Sequence, residues 1–487
     1  MRRLACIAGA AAALILAAPA AAAENTAWLS YGHDNQLTNA VPSVDLTTKS
    51  APRLQREWVT NVDGAVYASP LSAEVAGRQL IFAFTESGSV YALAASTGRI
   101  VWQRGLGTVA TLDCGTWGIT STGVIDLARN TLYVANADGQ VYGLDLASGD
   151  DVPGFPRTVV RRTDFEYVWG GLRVANDRLY VPVASYCDAG PASDFPDGRL
   201  ISIPLDDPDA LTEWEPVAGP GNLGGIWGWG GVSIDPDNGT VFTGVGNSHA
   251  WSDQCACYVD NAPYGNQIVA LPPDLSSVLD SDEPTLPTTE DDDFGAAPLL
   301  FHPRGCPPLA AMNNKIGSVY FWNRRNLAAG PLVAPIPLGD GINAFVGAPS
   351  WSEDQQTFYD AQAVLFGPEG RLGNGVKAFV VDPGCKFRLR WEALTGDGNQ
   401  ATPTVVGDVV FATGGNTGGF FALSAATGRR LWKYPSVGQT VATMMSVGGW
   451  AYGADTAGWV YGFRPAPPPP PPRPRRRLPP TPWKRIG

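Results

Sequence analysis

The sequence predicts an all-β fold, an eight-bladed β-propeller built from four-stranded antiparallel blades. A motif recurs about every forty to sixty residues, and its clearest copies are residues 88–103, 139–155 and 418–434. Each copy holds a short apolar segment, a polar turn that often contains Thr-Gly or Ser-Gly, and a second segment that often carries tryptophan. A further pair of strand-like segments precedes most copies, as in residues 402–415. Four short strands per unit at this period are typical of a propeller blade.

The last repeat predicts how the ring closes. Counting outer strands along the chain completes seven blades, and residues 440–463 then supply only three more strands. The segment Leu54–Trp58 has the composition of an outer strand and can provide the missing fourth. Closure by this N-terminal strand pairs the sheet edges that would otherwise invite aggregation. The expected propeller therefore spans residues 54–463 and follows an N-terminal segment, residues 24–53.

Tryptophans recur in the predicted outer strands of the ring. They are Trp58, Trp102, Trp214, Trp391 and Trp432. Large aromatic side chains bury much apolar surface, so we expect these residues to pack between adjacent blades. They are not expected to bind a ligand.

Both ends of the chain differ in composition from the repeats. Residues 1–23 contain two arginines, an apolar run and three final alanines, which is the pattern of a secretory signal peptide. The apolar run is too short to span a bilayer, so we expect an exported, periplasmic or secreted protein that does not cross a membrane. Residues 464–487 are rich in proline and arginine, and we expect them to form a disordered tail.

Charge and cysteine content exclude some functions. The net charge is −12, and since both ends of the chain are basic, the part between them is more acidic still. An acidic surface argues against nucleic-acid binding. The expected mature chain has six cysteines, Cys114, Cys187, Cys255, Cys257, Cys306 and Cys385. An even number in an exported chain favours disulfides, whose connectivity the sequence leaves open. With only three histidines and no CxxCH motif, neither zinc catalysis nor an attached haem is expected.

Propeller geometry predicts where a site would lie. The first strand of a blade begins, and its second strand ends, on the same face of the disc near the central channel. Three polar residues follow predicted second strands: Asp188 in blade 3, Asn247 in blade 4 and Lys315 in blade 5. Trp229 and Asp293 precede the first strands of blades 4 and 5. The strand count therefore predicts that all five residues meet at one mouth of the channel, where small-molecule sites are expected.

The chemistry of these five residues points to one kind of ligand. Two carboxylates and an amide oxygen are hard ligands that suit Ca²⁺. A neighbouring lysine can balance an anionic ligand, and an indole among glycines can stack on a planar ring. Together they predict a site for a flat, polyanionic quinone held against calcium.

Each residue also has a simpler interpretation. Asp293 ends an acidic run, residues 290–293, and such runs usually form solvated loops. Trp229 could fill the channel, and Asn247 follows a glycine as turn residues do. Lys315 and Asp188 could be ordinary loop residues. The expected placement on one face favours the functional interpretation.

The repeats, with their A-x-x-x-x-T-G-x-x-x-W pattern, resemble the pyrroloquinoline-quinone (PQQ) propellers of quinoprotein alcohol dehydrogenases across residues 54–463. In that family a cofactor-stacking tryptophan precedes a Gly-Asn calcium ligand by 18 residues, with Asp-Pro between them. Trp229, Asp235-Pro236 and Gly246-Asn247 match this pattern. The resemblance implies that Trp229 supports the quinone and that Asn247 binds calcium.

The same resemblance implies three further roles. The family's Trp-Asp-Tyr, whose Asp is catalytic base and calcium neighbour, is similar to residues 292–294, so Asp293 takes both roles. The family's Arg or Lys near the quinone oxygens resembles Lys315. Its glutamate calcium ligand aligns near Asp188. The family's vicinal Cys-Cys pair against the cofactor has its counterpart at residues 113–114, where only Cys114 is a cysteine.

Two functions follow as hypotheses. The first is an exported dehydrogenase that oxidises an alcohol or sugar-like hydroxyl with PQQ and Ca²⁺. Because no haem domain is recognised, its electrons would pass to a separate acceptor such as a cytochrome or a quinone. The alternative is a non-catalytic propeller of the PQQ-like type that binds proteins outside the cytoplasm as a scaffold.

Overall fold

The computed structural model describes residues 24–111, 114–186, 196–219, 221–252, 254–259, 263–284, 293–315, 317–338, 347–362, 375–395 and 401–470. In these ranges the structure is all-β, with eight mainly four-stranded antiparallel blades in a closed propeller. The predicted fold class is therefore confirmed. The helical elements of the described chain are two 3₁₀ turns, Ala51–Arg53 and Leu327–Ala329. The predicted signal peptide and residues 471–487 of the predicted tail lie outside the described residues.

The first four blades follow one another along the chain, and each pairs its strands in sequence order. Blade 1 contains Leu71–Val75, Arg78–Phe84, Ser89–Ala94 and Ile100–Gly105, and blade 2 contains Val124–Asp126, Thr131–Ala135, Gln140–Asp145 and Arg157–Thr158. Blade 3 contains Arg173–Ala175, Arg178–Ser185, Arg199–Pro204 and Thr212–Trp214, with Glu166–Tyr167 paired to its second strand. Blade 4 contains Ser233–Ile234, Val241–Gly244, Ile268–Leu271 and Asp280–Asp282.

The other four blades complete the ring. Blade 5 contains Leu299–Phe301, Leu309–Asn313, Ser318–Asn323 and Ile336–Pro337, and blade 6 contains Ser350–Ser352, Thr357–Gln362, Gly375–Asp382 and Lys386–Leu394. Blade 7 contains Thr404–Val406, Val409–Thr413, Phe420–Ser424 and Arg430–Tyr434, with Ala40–Val41 parallel to its first strand. Blade 8 contains Met445–Val447, Trp450–Asp455, Trp459–Pro465 and the N-terminal strand Leu54–Asn61. Two hairpins lie outside the blades, Val109–Ala110 with Thr116–Trp117 and Ala250–Ser252 with Cys257–Val259.

The N-terminal strand closes the ring as the sequence predicts. Leu54–Asn61 runs antiparallel to Trp459–Pro465, with Leu54 opposite Pro465 and Asn61 opposite Trp459. The register shifts between Arg56 and Trp58. Chain ends some four hundred residues apart therefore share one sheet.

Adjacent blades are joined by a repeated tryptophan contact. The indole N–H of Trp58 donates to the carbonyl of Ala95 at 2.8 Å, and that of Trp102 donates to Leu146 at 3.0 Å. Trp391 makes the same bond to Ala425 in blade 7 at 2.8 Å. The turn glycine packs on the same ring, since a Cβ at Gly98 would come within 2.4 Å of Trp58. This contact explains why Thr-Gly turns and tryptophans recur together, and it confirms the interblade packing expected for these three residues.

The N-terminal segment has a structural role that the sequence does not reveal. Residues 25–41, which we call the N-terminal strap, follow the inner strands around the channel. The strap makes backbone hydrogen bonds to the first strand of a blade, or to the turn after it, through Asn25 to blade 8, Trp28 to blade 1, Leu29 to blade 2, Asn35 to blade 4, Gln36 to blade 5, Thr38 to blade 6, and Asn39 and Val41 to blade 7. Blade 3 contributes the fully buried Arg173, which donates to the carbonyls of Tyr31 and Asp34. The strap thus contacts every blade and lies at the hub.

Disulfides are present, as the even cysteine count predicts. Cys306 in blade 5 is bonded to Cys385 in blade 6, and Cys255 is bonded to Cys257 on the second hairpin. Cys114 is also disulfide-bonded.

Among the residues that the structure describes, none of the helical elements has the length and apolar character of a membrane-spanning helix.

Candidate functional site

A buried ion pair lies at the entrance to blade 5. Asp293 precedes the first strand and its side chain is 2% exposed, whereas Lys315 follows the second strand. The Lys315 ammonium lies 2.9 Å from Asp293 Oδ1. The Lys315 backbone N–H also donates to the Asp293 carbonyl at 2.9 Å, which ties the two loops together. The start of strand one and the end of strand two therefore meet on one face, as propeller geometry requires.

Blade 4 completes the coordination of the carboxylate. The indole N–H of Trp227 donates to Asp293 Oδ2 at 2.9 Å, and the backbone N–H of Asn247 approaches the same oxygen at 3.3 Å. The Lys315 ammonium also lies 4.7 Å from the centre of the Trp227 ring, within cation–π distance. One ammonium and two N–H donors thus compensate the desolvation of a carboxylate that is almost fully buried. We call Asp293, Lys315, Trp227 and Asn247 the polar cluster.

Gly246 leaves room for the polar cluster. A Cβ atom at this position would lie 2.9 Å from Asp293 Oδ2 and 3.1 Å from the Trp227 indole nitrogen. Any side chain there would enter the bond between carboxylate and indole. The glycine of the Gly-Asn pair is therefore needed for close approach.

An aromatic cavity lies at the hub, and Trp229 in its lining is two residues along the chain from Trp227 of the polar cluster. Its volume is about 320 Å³, and its lining residues are Tyr67, Trp117, Trp169, Trp229, Asn416, Gln439 and Val441. Trp229, two residues after Trp227, is 7% exposed and packs on Tyr31 and Leu37 of the strap. Its ring therefore faces the hub, on a floor formed by the strap, and not the space between outer strands.

Cys114 lies in the same aromatic cluster as two of the cavity's lining residues. Cys114 packs with Trp117 and Trp169, both of which line the cavity. Its carbonyl accepts a 2.7 Å hydrogen bond from the Trp117 indole. The structure thus places Cys114 next to two of the aromatic residues that line the cavity.

A second acid near the cavity, the half-buried Glu86, was not predicted from the sequence. Glu86 follows the second strand of blade 1, accepts a 3.1 Å bond from the Gly118 N–H and accepts another from the Thr120 hydroxyl. Burial raises the pKa of Glu86. Burial, and then the charge of Glu86, raises the pKa of Tyr67, which lines the cavity. Glu86 follows the second strand of blade 1, as Asn247 and Lys315 follow the second strands of blades 4 and 5. Counting strands in the sequence could therefore have identified Glu86 as well.

The predicted site residues can now be placed. The structure brings Asn247 and Lys315 into contact with Asp293, and it places Trp229 in the lining of the cavity. Asp188 lies outside the described residues. Trp227 and Gly246 belong to the site although the sequence did not indicate their contacts.

The two expected cofactors fit these residues to different degrees. A cavity walled by indole rings suits a flat aromatic molecule, because aromatic faces stack favourably. For calcium, Asp293 and Asn247 offer the hard oxygen donors that the ion prefers. However, the Asp293 oxygens already accept contacts from Lys315, Trp227 and the Asn247 N–H. In the described parts of the chain, no three potential metal ligands of the His, Cys, Asp and Glu types gather in one place.

Comparison with known proteins agrees with this architecture. The family model described as outer membrane protein assembly factor BamB matches residues 55–181 and 388–466. A polyvinylalcohol dehydrogenase of Pseudomonas sp. is 26% identical over 86% of this chain and 70% of its own length. A second polyvinylalcohol dehydrogenase, from Sphingopyxis sp., is 22% identical over 84% of this chain and 67% of its own length.

Solved structures share the fold. The quinohemoprotein alcohol dehydrogenase of Comamonas testosteroni superimposes with a TM-score of 0.68 at 17% identity, covering 91% of this chain and 81% of its own. A europium-containing methanol dehydrogenase gives a TM-score of 0.69 at 15% identity, covering 90% of this chain and 98% of its own. The chain is therefore similar in sequence to polyvinylalcohol dehydrogenases, and it shares its propeller fold with quinoprotein alcohol and methanol dehydrogenases.

Proposed function

We propose that the protein is a quinoprotein-type dehydrogenase that oxidises an alcohol or sugar-like hydroxyl with PQQ. The observation that carries this proposal is the Asp293–Lys315 pair, which Trp227 contacts two residues before Trp229 lines an aromatic cavity. A salt bridge with a purely structural role would not require an aromatic cavity lined by the neighbouring Trp229. The similarity to polyvinylalcohol dehydrogenases supports the same class of reaction.

Each residue has a distinct role in this proposal. Asp293 takes the proton of the substrate hydroxyl as general base, which requires a carboxylate held in one orientation. Lys315 places a positive charge beside the carboxylate and the bound anionic ligand. Trp229 supports the flat ring from the strap side. Cys114 accepts the hydrogen bond of the Trp117 indole and so helps to hold one of the lining residues that would contact the cofactor. The quinone, when bound, supplies the two-electron acceptor chemistry that these side chains lack.

The proposal includes a bound calcium ion, because the site contains oxygen donors of the kind that calcium prefers. Asn247 and Asp293 would be its ligands, joined by Asp188, which follows the second strand of blade 3 in the sequence. The ion would share Asp293 with Lys315, whose ammonium contacts Oδ1 at 2.9 Å. We assign no step of the reaction to the metal.

Location and electron transfer complete the proposal. Export to the periplasm or medium follows from the N-terminal signal pattern of residues 1–23. Electrons would leave through a separate acceptor such as a cytochrome or a quinone.

The test is reconstitution of the purified chain with PQQ, with and without Ca²⁺. We expect a bound-cofactor absorbance and dye reduction with at least one member of a panel of primary, secondary and polymeric alcohols. Asp293→Asn should retain the absorbance and lose the dye reduction. The proposal is wrong if PQQ shows no bound absorbance and no alcohol reduces the dye.

A second candidate function is a protein-binding scaffold, because the matching family model is that of an assembly factor. This match covers residues 55–181 and 388–466, whereas Trp227, Asn247, Asp293 and Lys315 lie between the two ranges. A scaffold would retain a stable protein partner in Asp293→Ala. Loss of dye reduction in that variant, with no partner bound, favours the dehydrogenase.

A further inference from the structure

One indole contacts both members of the buried ion pair. The Trp227 N–H, at the ring edge, donates to Asp293 Oδ2 at 2.9 Å. The face of the same ring lies 4.7 Å from the Lys315 ammonium. An indole has a positive edge and a negative face, so each part meets the charge that it attracts.

These contacts restrict how the carboxylate can turn. Oδ1 contacts the Lys315 ammonium, whereas Oδ2 accepts from Trp227 and from the Asn247 backbone. Rotation of the carboxylate about its terminal bond would break the contacts on both oxygens. Trp227 contacts both charged groups, Asp293 through its N–H and Lys315 through its ring face.

We infer that Trp227 is a positioning residue, which holds the Asp293 carboxylate and the Lys315 ammonium in a single arrangement. The kinetic part of this inference rests on the proposed function, whereas the contact itself does not. This inference assigns different roles to Trp227 and Trp229. Trp229 lines the cavity, whereas Trp227 orients the Asp293–Lys315 ion pair.

Gly246 leaves the space in which Trp227 and Asp293 form their hydrogen bond. Its absent side chain is what allows the Trp227 nitrogen and Asp293 Oδ2 to meet beside the backbone of blade 4. The carbonyl of Gly225 would also lie only 3.0 Å from a Cβ at that position. Gly246→Ala therefore disturbs the same bond without changing Trp227 or Asp293.

The contact can be tested by NMR on the full chain with ¹⁵N-labelled indoles and no cofactor. Trp227→Phe should remove one indole N–H signal and thereby assign it. Asp293→Asn and Gly246→Ala should each shift that signal, because the acceptor changes or the bond is displaced. Trp391→Phe is the matched control, since it removes an indole that donates to a backbone carbonyl in the outer ring. A Trp227 signal that Asp293→Asn leaves unmoved would overturn the inference.

The kinetic arm uses the reconstituted protein. Trp227→Phe keeps an aromatic face for Lys315 but loses the N–H donor, so we expect kcat to fall by about a hundredfold, as for a misoriented catalytic group. KM should change little, because the cavity lining is intact. An active wild type with unchanged kcat in Trp227→Phe would refute the positioning role. An inactive wild type would instead refute the proposed function, and the NMR result would still decide whether Trp227 holds Asp293.

Discussion

The rim and the hub of this propeller are held together in different ways. At the rim, one contact is repeated, in which an outer-strand indole donates to the turn of the next blade. At the hub, the contacts are unique and join segments far apart in sequence, as when Asp293 meets Trp227, Asn247 and Lys315. Repeated contacts close a ring, whereas unique contacts build a site. Changes at the rim should therefore be small and alike, and changes at the hub large and unlike.

The largest expected effect comes from Asp293. Asp293→Asn removes the proposed general base while keeping a side chain of similar size, so dye reduction by the reconstituted protein should fall by about 10²–10⁴-fold. The control is Asp209→Asn at the rim, where the side chain is 79% exposed. That variant should keep wild-type activity. Equal activity in the two variants would contradict the distinction between hub and rim.

Next comes the stability of the hub itself, through Arg173. Its guanidinium is fully buried and donates to strap carbonyls, so Arg173→Met leaves buried acceptors without donors. We expect a loss of about 3 kcal/mol in the free energy of unfolding, measured by urea denaturation. Arg104→Met removes an exposed ion pair with Asp151 and should cost less than about 1 kcal/mol. Similar costs for the two variants would mean that the strap does not stabilise the hub.

Between hub and rim, blade 6 carries a pH-sensitive acid. Asp360 is fully buried and accepts a hydrogen bond from the Asn313 side chain. It lies opposite Lys377 on the neighbouring strand. Burial raises the pKa of Asp360 to about 7. The folded state therefore binds this proton more tightly than the unfolded state, and its stabilising contribution is lost as pH rises from about 4 through 7. Asp360→Asn should flatten this decline in unfolding curves recorded at several pH values. An unchanged slope in the variant would contradict the account.

The smallest effects are expected at the rim. Trp58→Phe, Trp102→Phe and Trp391→Phe each remove one indole–carbonyl bond, so each should cost about 1 kcal/mol. The three losses of unfolding free energy should agree closely, because the contact is the same in each. A spread of several kcal/mol among them would show that the rim is not a repeated device.

The same contrast explains what the sequence could predict. The blade repeat, the closing strand and the docking tryptophans are periodic, so Trp58 and Leu54 could be assigned from the pattern alone. The strap could not be predicted, because it is held mostly by backbone hydrogen bonds that leave no side-chain pattern. Arg173 is buried by this strap and shares its lack of a sequence signal.

The site was predictable to the extent that it follows strand topology. Asn247, Asp293 and Lys315 could be placed on one face by counting strands. The contacts of Trp227 could not, because they depend on side-chain directions in an irregular loop. Glu86 obeys the same strand rule, but it lies in blade 1, away from the acidic and Gly-Asn motifs.

The central claim is that the hub binds a flat quinone against Trp229, and equilibrium binding of PQQ tests it most directly. Calorimetric titration of the wild-type chain with PQQ should show one binding site per chain. Trp229→Ala should weaken binding about tenfold through lost stacking, whereas Trp391→Phe at the rim should leave it unchanged. Absence of binding to the wild type, or equal affinity in wild type and Trp229→Ala, would contradict the account.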